Sequence, residues 1–450
     1  MNEGLARSEL AFDPEVDLRL YLTNASNSLT SRKGRSMVKN PIPLAQGKAP
    51  PTTSLNRSLT LPLLTLYGLG VTVGAGIYVL IGVTAGQAGP YAWVAFLLAA
   101  IVVGFTAFSY AELATRYPVS AGESAYVDAG FGRADLATAV GILVAISGLV
   151  SASAITVGAS GYLGSLTGVQ PSALILGIVT TMGLLAWWGI TQSVVVAGIV
   201  TVIEILGLIV VIGWSMAMTE RLGVSPKDLI PPVWGSHWAG VISATVLAFF
   251  AFIGFEDMVN VAEEVEEPRR TIPKAIIYTL VIATILYLAT CIAVTMAVPM
   301  EALAGSSAPL ALVFADAPEA MQISFTAIAV VATVNGVLIQ MIMVSRVIYG
   351  MADRGRLPTC FARLSAHTHT PSVATVFVAV CILGLSLFLP IARLAEWTSQ
   401  IVLCVFVCVN LALVAIKRRA EPADDHFSIP LLVPVCGTII SGILLVVSLF

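Results

Sequence analysis

Charge is scarce in this sequence. Its 450 residues include 23 Lys and Arg and 26 Asp and Glu, 11% in all, where soluble domains carry about 25%. A deficit of that size excludes an ordinary soluble globular domain. Histidine is rarer still: His237, His367, His369 and His426 are the four, each placed by the pattern in or beside a loop. None combines with Cys at a zinc-ligand spacing. Of six cysteines, five fall in apolar runs. Cys404 and Cys408 share a helix face, which small-hydrophobe packing accounts for. No nucleophile-and-base arrangement, zinc motif or phosphate-binding glycine loop occurs. An enzyme is therefore not expected, nor a cofactor, a metal or a nucleic-acid partner.

What the chain has instead is length of apolar run: 57% of it is hydrophobic and its mean hydropathy is +0.92. Taking about 20 apolar residues as one helical crossing predicts eleven spans, centred near residues 73, 102, 147, 180, 204, 250, 286, 335, 381, 404 and 440. The basic residues test this, because cytoplasmic loops hold the excess of Lys and Arg. With the N-terminus inside, 20 of the 23 fall on the inner side, leaving Arg221, Lys227 and Arg393 outside. An all-α integral membrane protein of the plasma (inner) membrane is expected, its N-terminus cytoplasmic and Phe450 outside. Residues 1–57 are polar and read as a disordered cytoplasmic tail without a cleavable signal peptide. Its basic patch of Arg32, Lys33, Arg35 and Lys39 suits anionic lipid, a merely solvated tail being the alternative. Residues 58–420 read as the transmembrane core and 421–450 as an additional helix.

Two of the spans are interrupted. The first holds Gly68, Gly70, Gly74, Gly76 and Gly82, with VTVGAGIYV at its centre. Glycine costs about 1 kcal/mol relative to Ala in a helix interior, so the cluster reflects either close helix packing or unwound backbone lining a cavity. The sixth span, AFFAFIGFEDMVNVAEEV, has Gly254 in mid-course, closely followed by Glu256 and Asp257. A helix does not comfortably bury two carboxylates in lipid. The two spans correspond if the chain is two repeats of five, and five being odd, the second repeat enters from the opposite face. Paired interrupted segments in such inverted repeats point to the binding site of a secondary transporter. Broken helices present N–H groups at one half-helix end, suiting a carboxylate, and carbonyls at the other, suiting an ammonium or cation. An amino acid carries both groups.

The motifs resemble the amino acid-polyamine-organocation (APC) superfamily of permeases, particularly its cationic amino acid transporter-like branch. GAGIYVLIG is similar to the family's GxGIF stretch. SYAELATRYPVSAGESAYVDAGF (109–131) resembles its YAELAxxxPxAGxxYxYxxxxF segment, with an additional residue in the part Ala121-Gly122-Glu123-Ser124-Ala125. FFAFIGFEDMVNVAEEVEEPRRTIP (249–273) resembles FxAFxGFDxxxxxAEEVKNPxRxIP, and SRVIYGMADRGRLP (345–358) resembles SRxLYxMARDGxLP with Asp353 and Arg354 reversed. The resemblance implies a LeuT-type 5+5 inverted repeat with discontinuous helices 1 and 6, moving amino acids by alternating access. It implies that backbone around Thr72, Gly74, Ala75 and Gly76 binds the substrate carboxylate. It also implies that carbonyls near Phe250 and Ile253, beside Gly254, take the amino group, with Phe250 resembling an aromatic gate.

Glu256 occupies the family's acidic position in the sixth span, as a gating or substrate-amine residue or as a cap on the second half-helix. Asp257, about 100° further round a helix, is expected to face elsewhere. Glu204 is the one charge between Asp135 and Glu220. A buried carboxyl can carry a proton reversibly, and some family members place a proton-linked Lys near this position. Its alternative is a protonated Glu bonded to a neighbouring helix. Ser151, Ser153 and Thr156 are pocket candidates, and Thr333 and Asn335 could assist a cation or the substrate. Glu263, Glu264, Glu266, Glu267, Arg269 and Arg270 resemble an inner gate with Glu112 and Arg116, ordinary solvated charge being the alternative. The expected function is secondary active amino acid transport, by proton-coupled symport or exchange, with sodium coupling as a third option. The alternative is a non-transporting membrane sensor or partner-dependent subunit.

Overall fold

In the computed structural model, residues 59–118, 122–188, 194–222, 226–365, 368, 370–419 and 426–449 are described. The 1–57 tail with its basic patch, and His367 and His369, lie outside them. Thirteen α-helices follow in order among the described residues: α1 Leu61–Ala88, α2 Ala92–Arg116, α3 Gly122–Phe131, α4 Ala134–Thr167, α5 Pro171–Trp188, α6 Val194–Leu222, α7 His237–Phe250, α8 Pro268–Ala297, α9 Met300–Gly305, α10 Glu319–Asp353, α11 Ser372–Phe388, α12 Ile391–Arg418 and α13 Leu432–Val447. Every centre expected from the sequence falls inside one of the longer helices.

Among the described residues, eight helical stretches are long and apolar enough to cross a membrane. The first runs over 61–116, and the shorter apolar helices α11 and α13 are additional to the eight. A short 3₁₀ turn at Gly89–Tyr91 divides that first stretch into α1 and α2. Local chemistry sets several boundaries. Proline in the first turn starts α1 and α8, where its missing N–H costs no helical bond. Gly168 ends α4 in the left-handed conformation, φ 67°, the usual role of glycine past a helix end.

The packing follows the small-residue and apolar pattern. α4 packs against α10 and α12, while α1 packs against α6, α7 and α8. On α6 the residues Thr201, Glu204, Leu208, Val211 and Ser215 are buried, whereas Ile199, Val202, Ile203, Leu206, Ile209 and Val210 are exposed. The buried set recurs at three- and four-residue steps, one face of a helix. Glu204 thus faces the bundle and not the apolar outer surface. Among the described residues the one β pairing is an isolated parallel bridge, Leu59 with Val265. Leu59 N–H donates to Glu264 O at 3.0 Å and Glu266 N–H donates to Leu59 O at 3.0 Å.

The charged groups of the loops are arranged differently from the expected gate. Glu112 is fully buried, and its carboxylate accepts from Arg116 Nη2 at 2.7 Å and lies 2.7 Å from Lys417 Nζ, with His426 Nε2 3.9 Å away. Its Oε2 also accepts the Ile429 N–H at 2.8 Å. Glu112 and Arg116 therefore tie the end of α2 to the end of α12 and to the strand of chain entering α13. The Glu267–Arg270 pair is a separate surface contact at 3.8 Å, both side chains about three-quarters exposed. Such pairs contribute about 0–1 kcal/mol, so here solvated charge describes it.

Candidate functional site

Both interruptions are present. Within α1 the single residue Gly74 leaves helical geometry, with φ −47° and ψ −115°, against a usual ψ of about −42°. That rotation turns its carbonyl away from the helix axis. α7 ends at Phe250, residues 251–254 form turns, and a 3₁₀ helix begins at Phe255 and runs to Glu264. Gly254, at φ 126°, sits where an L side chain is strained.

The glycines divide their work. A Cβ at Gly74 would meet only the Ala332 carbonyl at 3.9 Å, so its role is the break. A Cβ at Gly76 would lie 2.9 Å from the Ala251 Cβ and nearer still to its Cα. Gly76 therefore lets the first span's backbone reach the turn in the sixth. The two alternatives open for the cluster, break and packing, are each realised at a different residue.

One side chain, Tyr287 on α8, joins the two interruptions. Its hydroxyl lies 2.7 Å from the Thr72 carbonyl and 2.8 Å from the Ala251 carbonyl. A phenol has one proton, which it shares between these two acceptors.

Two cavities lie at this junction. The first is lined by Thr72, Gly74, Gly76, Phe250, Ile253 and Gly70, among others, with Ser151 and Gln340 on the facing helices. Five of the eight residues proposed for the substrate thus share one wall. The Thr72 hydroxyl there is buried without a hydrogen-bond partner. Ala75 is in the same turn of α1. Gly254 and Glu256 are not in this wall.

The second cavity is lined by Glu256, Asp257 and Glu123, together with Tyr110, Phe406 and Gly148. Ser151, Ile253 and Gln340 border both cavities. Glu256 accepts the Gly254 N–H through Oε2 at 2.9 Å, so it caps the second half-helix while facing the cavity. Asp257 does not face elsewhere: it is 7% exposed and lines the same cavity as Glu256. Glu123, in the inserted part of the second motif, accepts from the Tyr110 hydroxyl at 3.2 Å. Burial pushes its carboxyl up from the ordinary range, against the opposing effect of that hydrogen bond.

Glu204 borders neither cavity. It lies in the contact between α6 and α1, with both carboxyl oxygens buried and unpartnered, and the Tyr78 hydroxyl donates to its backbone carbonyl at 2.8 Å. One turn earlier, Thr201 packs against Gly70, a residue of the first cavity. Of the other polar candidates, Ser151 borders these two cavities. Ser153, Thr156 and Thr333 return their hydroxyls to carbonyls of their own helices. Asn335 is buried away from both cavities.

Sequence reasoning missed Gln340, Tyr287 and the placement of Glu123. Gln340 had a signal, as the one polar residue in GVLIQMIMV. Tyr287 had none, because its function is defined by two carbonyls on other helices.

Comparison with known proteins agrees with this geometry. A family profile described as amino acid permease matches residues 59–450. The branched-chain amino acid permease BcaP of Bacillus subtilis is 30% identical over 399 residues, covering 84% of each chain. The vacuolar cationic amino acid transporter 2 of Arabidopsis thaliana is also 30% identical, over 83% of this chain and 61% of its own longer length. The methylthioribose transporter of Bacillus subtilis is 28% identical, over 87% of this chain and 88% of its own. An all-helical fold with long apolar spans, two of them broken at a shared cavity, and a profile match over most of its length place this chain in the amino acid permease family, as an integral membrane protein.

Proposed function

We propose that the protein is a secondary active transporter carrying amino acids across the plasma (inner) membrane by alternating access, as a proton symporter or an exchanger. The observation that carries this reading is the meeting of two broken spans at one cavity, with the Gly74 break on one side and the Phe250–Gly254 turn on the other. The α-carboxylate is assigned to the backbone around Thr72, Gly74, Ala75 and Gly76. The amino group is assigned to carbonyls near Phe250 and Ile253, with Gly254 and Glu256 shaping that end.

Length supports a reading of eleven crossings. The 56 residues of 61–116 would extend about 84 Å as one helix, far beyond a hydrocarbon core of about 30 Å, so they cross twice. Adding α11 and α13 to the remaining long stretches completes the set. The proposed repeats are the LeuT-type five and five, α7 with its 3₁₀ continuation opening the second, within a core of 58–420 followed by a helix in 421–450. The N-terminal tail, 1–57, is cytoplasmic in this reading. The broken spans move against the remainder.

Phe250 is 5% exposed at the edge of the first cavity and is assigned the gate. Phe250→Ala should raise the apparent KM about tenfold, the equivalent of about 1.4 kcal/mol of lost contact. An unaltered KM and rate would remove the gate assignment.

Glu204 is assigned the proton. The titratable groups within its electrostatic reach are Tyr78 and Tyr287, and no cation contacts it among the described residues. In proteoliposomes with an inward proton gradient, labelled amino acid should accumulate. Glu204→Gln should abolish that accumulation while exchange across the membrane continues. Full pH-driven accumulation in the variant would show that the proton goes elsewhere. Binding without flux for any amino acid would favour the sensor or subunit reading. Loss of uptake on replacing sodium would make sodium the coupling ion.

A further inference from the structure

Among the described residues no large apolar side chain is more exposed than Trp234, at 87%, and Val233 and Ile230 beside it are 75% and 68% exposed. All three belong to PKDLIPPVWGS, residues 226–236, the connection that leads into α7. The connection is braced from below by ring N–H groups. Trp93 of α2 donates through Nε1 to the Leu229 carbonyl at 2.9 Å. Trp238 Nε1 shares its proton between the Pro232 and Val233 carbonyls, 3.1 Å from each. His237 Nε2 lies 3.0 Å from the Pro232 carbonyl, and its ring is 5.1 Å from that of Tyr91. Pro231 and Pro232 fix their own φ. Held by its carbonyls and stiffened by proline, the loop keeps its three apolar side chains on the outside.

The position of the loop identifies what covers them. Interrupted spans of this kind are broken near the bilayer midplane. From that break the 14 residues of α7 rise about 21 Å. Half of a hydrocarbon core is about 15 Å, and half of the bilayer with its headgroups is about 20–22 Å. The start of α7 therefore stands in the headgroup layer, and residues 230–234 with it. The apolar outer surface runs up to the loop: Ile242, one turn along α7 from Trp238, is 41% exposed, and Met216 near the end of α6 is 65% exposed. Tryptophan, an apolar ring with a polar edge, is suited to that layer. The two charged residues of the connection, Lys227 and Asp228, are exposed and opposite in sign, so they bring no net attraction to anionic headgroups.

We propose that residues 230–234 are a membrane-interface anchor, in which Ile230, Val233 and Trp234 insert at the boundary between phospholipid headgroups and acyl chains and hold the half-span α7 at a fixed depth. The leaflet is the outer one when the N-terminus is inside. The assignment rests on the breaks lying near the bilayer midplane.

The test compares the full chain and Trp234→Phe in proteoliposomes of phosphatidylcholine, where the difference between their emission spectra is the emission of Trp234. That emission should be blue-shifted from tryptophan in water and protected from aqueous acrylamide. Phosphatidylcholine brominated at the headgroup end of its acyl chains should quench it more than lipid brominated at the chain terminus. Replacing part of the phosphatidylcholine by phosphatidylglycerol should change none of this. Emission at the wavelength of tryptophan in water, quenched by acrylamide, would overturn the anchor. So would blue-shifted emission that neither brominated lipid quenches, which would put a protein surface such as a second copy over the loop. Stronger quenching from the chain terminus, or quenching that requires phosphatidylglycerol, would overturn it as well. Should Trp234→Phe fold poorly, Val233→Cys carrying an environment-sensitive fluorophore, in a chain whose exposed Cys360 is replaced as Cys360→Ser, reads the same depth with the same deciding outcomes.

Discussion

Uptake by Gly254→Val is expected to fall at least about 30-fold, from about 2 to 6 kcal/mol of combined strain and overpacking. Two independent costs meet at this residue. Its φ of 126° is closed to a β-branched side chain, worth about 1–3 kcal/mol. The new Cβ would also stand 2.7 Å from the Val71 carbonyl oxygen and 2.9 Å from its carbon. Those atoms are backbone of the first broken span, so they yield only by moving the cavity wall, at about 1–3 kcal/mol more. Gly254→Ala carries the same strain with less bulk, which sets the order Gly above Ala above Val. Initial-rate uptake at matched protein amounts reads this order, and a Val variant as active as the parent would show the turn to be dispensable.

The second large effect concerns stability. Glu112→Gln should destabilise the fold by about 3–5 kcal/mol, the usual consequence of stranding buried charge. Arg116 and Lys417 are 16% and 11% exposed at the side chain, and one carboxylate serves both. An amide of the same shape keeps the volume, removes the countercharge and turns its own NH₂ towards a cation. Since domains are stable by only about 5–15 kcal/mol, the change should appear as a markedly lower melting temperature in detergent. Hydrogen exchange should rise first in 426–449, because the neutral amide holds the Ile429 N–H and Lys417 more weakly than the carboxylate does. A melting temperature equal to the parent's would mean that the cluster is not an anchor.

The two breaks were legible because they are local: glycine at mid-span and carboxylates beside it are written in consecutive residues. The separate tasks of Gly74 and Gly76 were not, since packing and unwinding both favour glycine and only the neighbour, Ala251, distinguishes them. Asp257 was expected to face elsewhere from its rotation relative to Glu256, whereas both side chains border one cavity. The partners of Glu112 were hidden for another reason. Lys417 and His426 lie more than 300 residues along the chain, whereas the resemblance of 263–270 to an inner gate pointed to a different set of partners. Burial of Glu204 was legible from isolation, and the buried stripe on α6 supplies its direction.

The Tyr287 hydroxyl and the Leu59–Val265 bridge bear on how the bundle can deform. They fasten the first and sixth spans to one another at two separate points, one at the interruptions and one at the chain just outside α1. A single fastening permits a swivel, whereas two suppress it. In mechanical terms the pair ties the first and sixth spans into one unit and not two independent flaps.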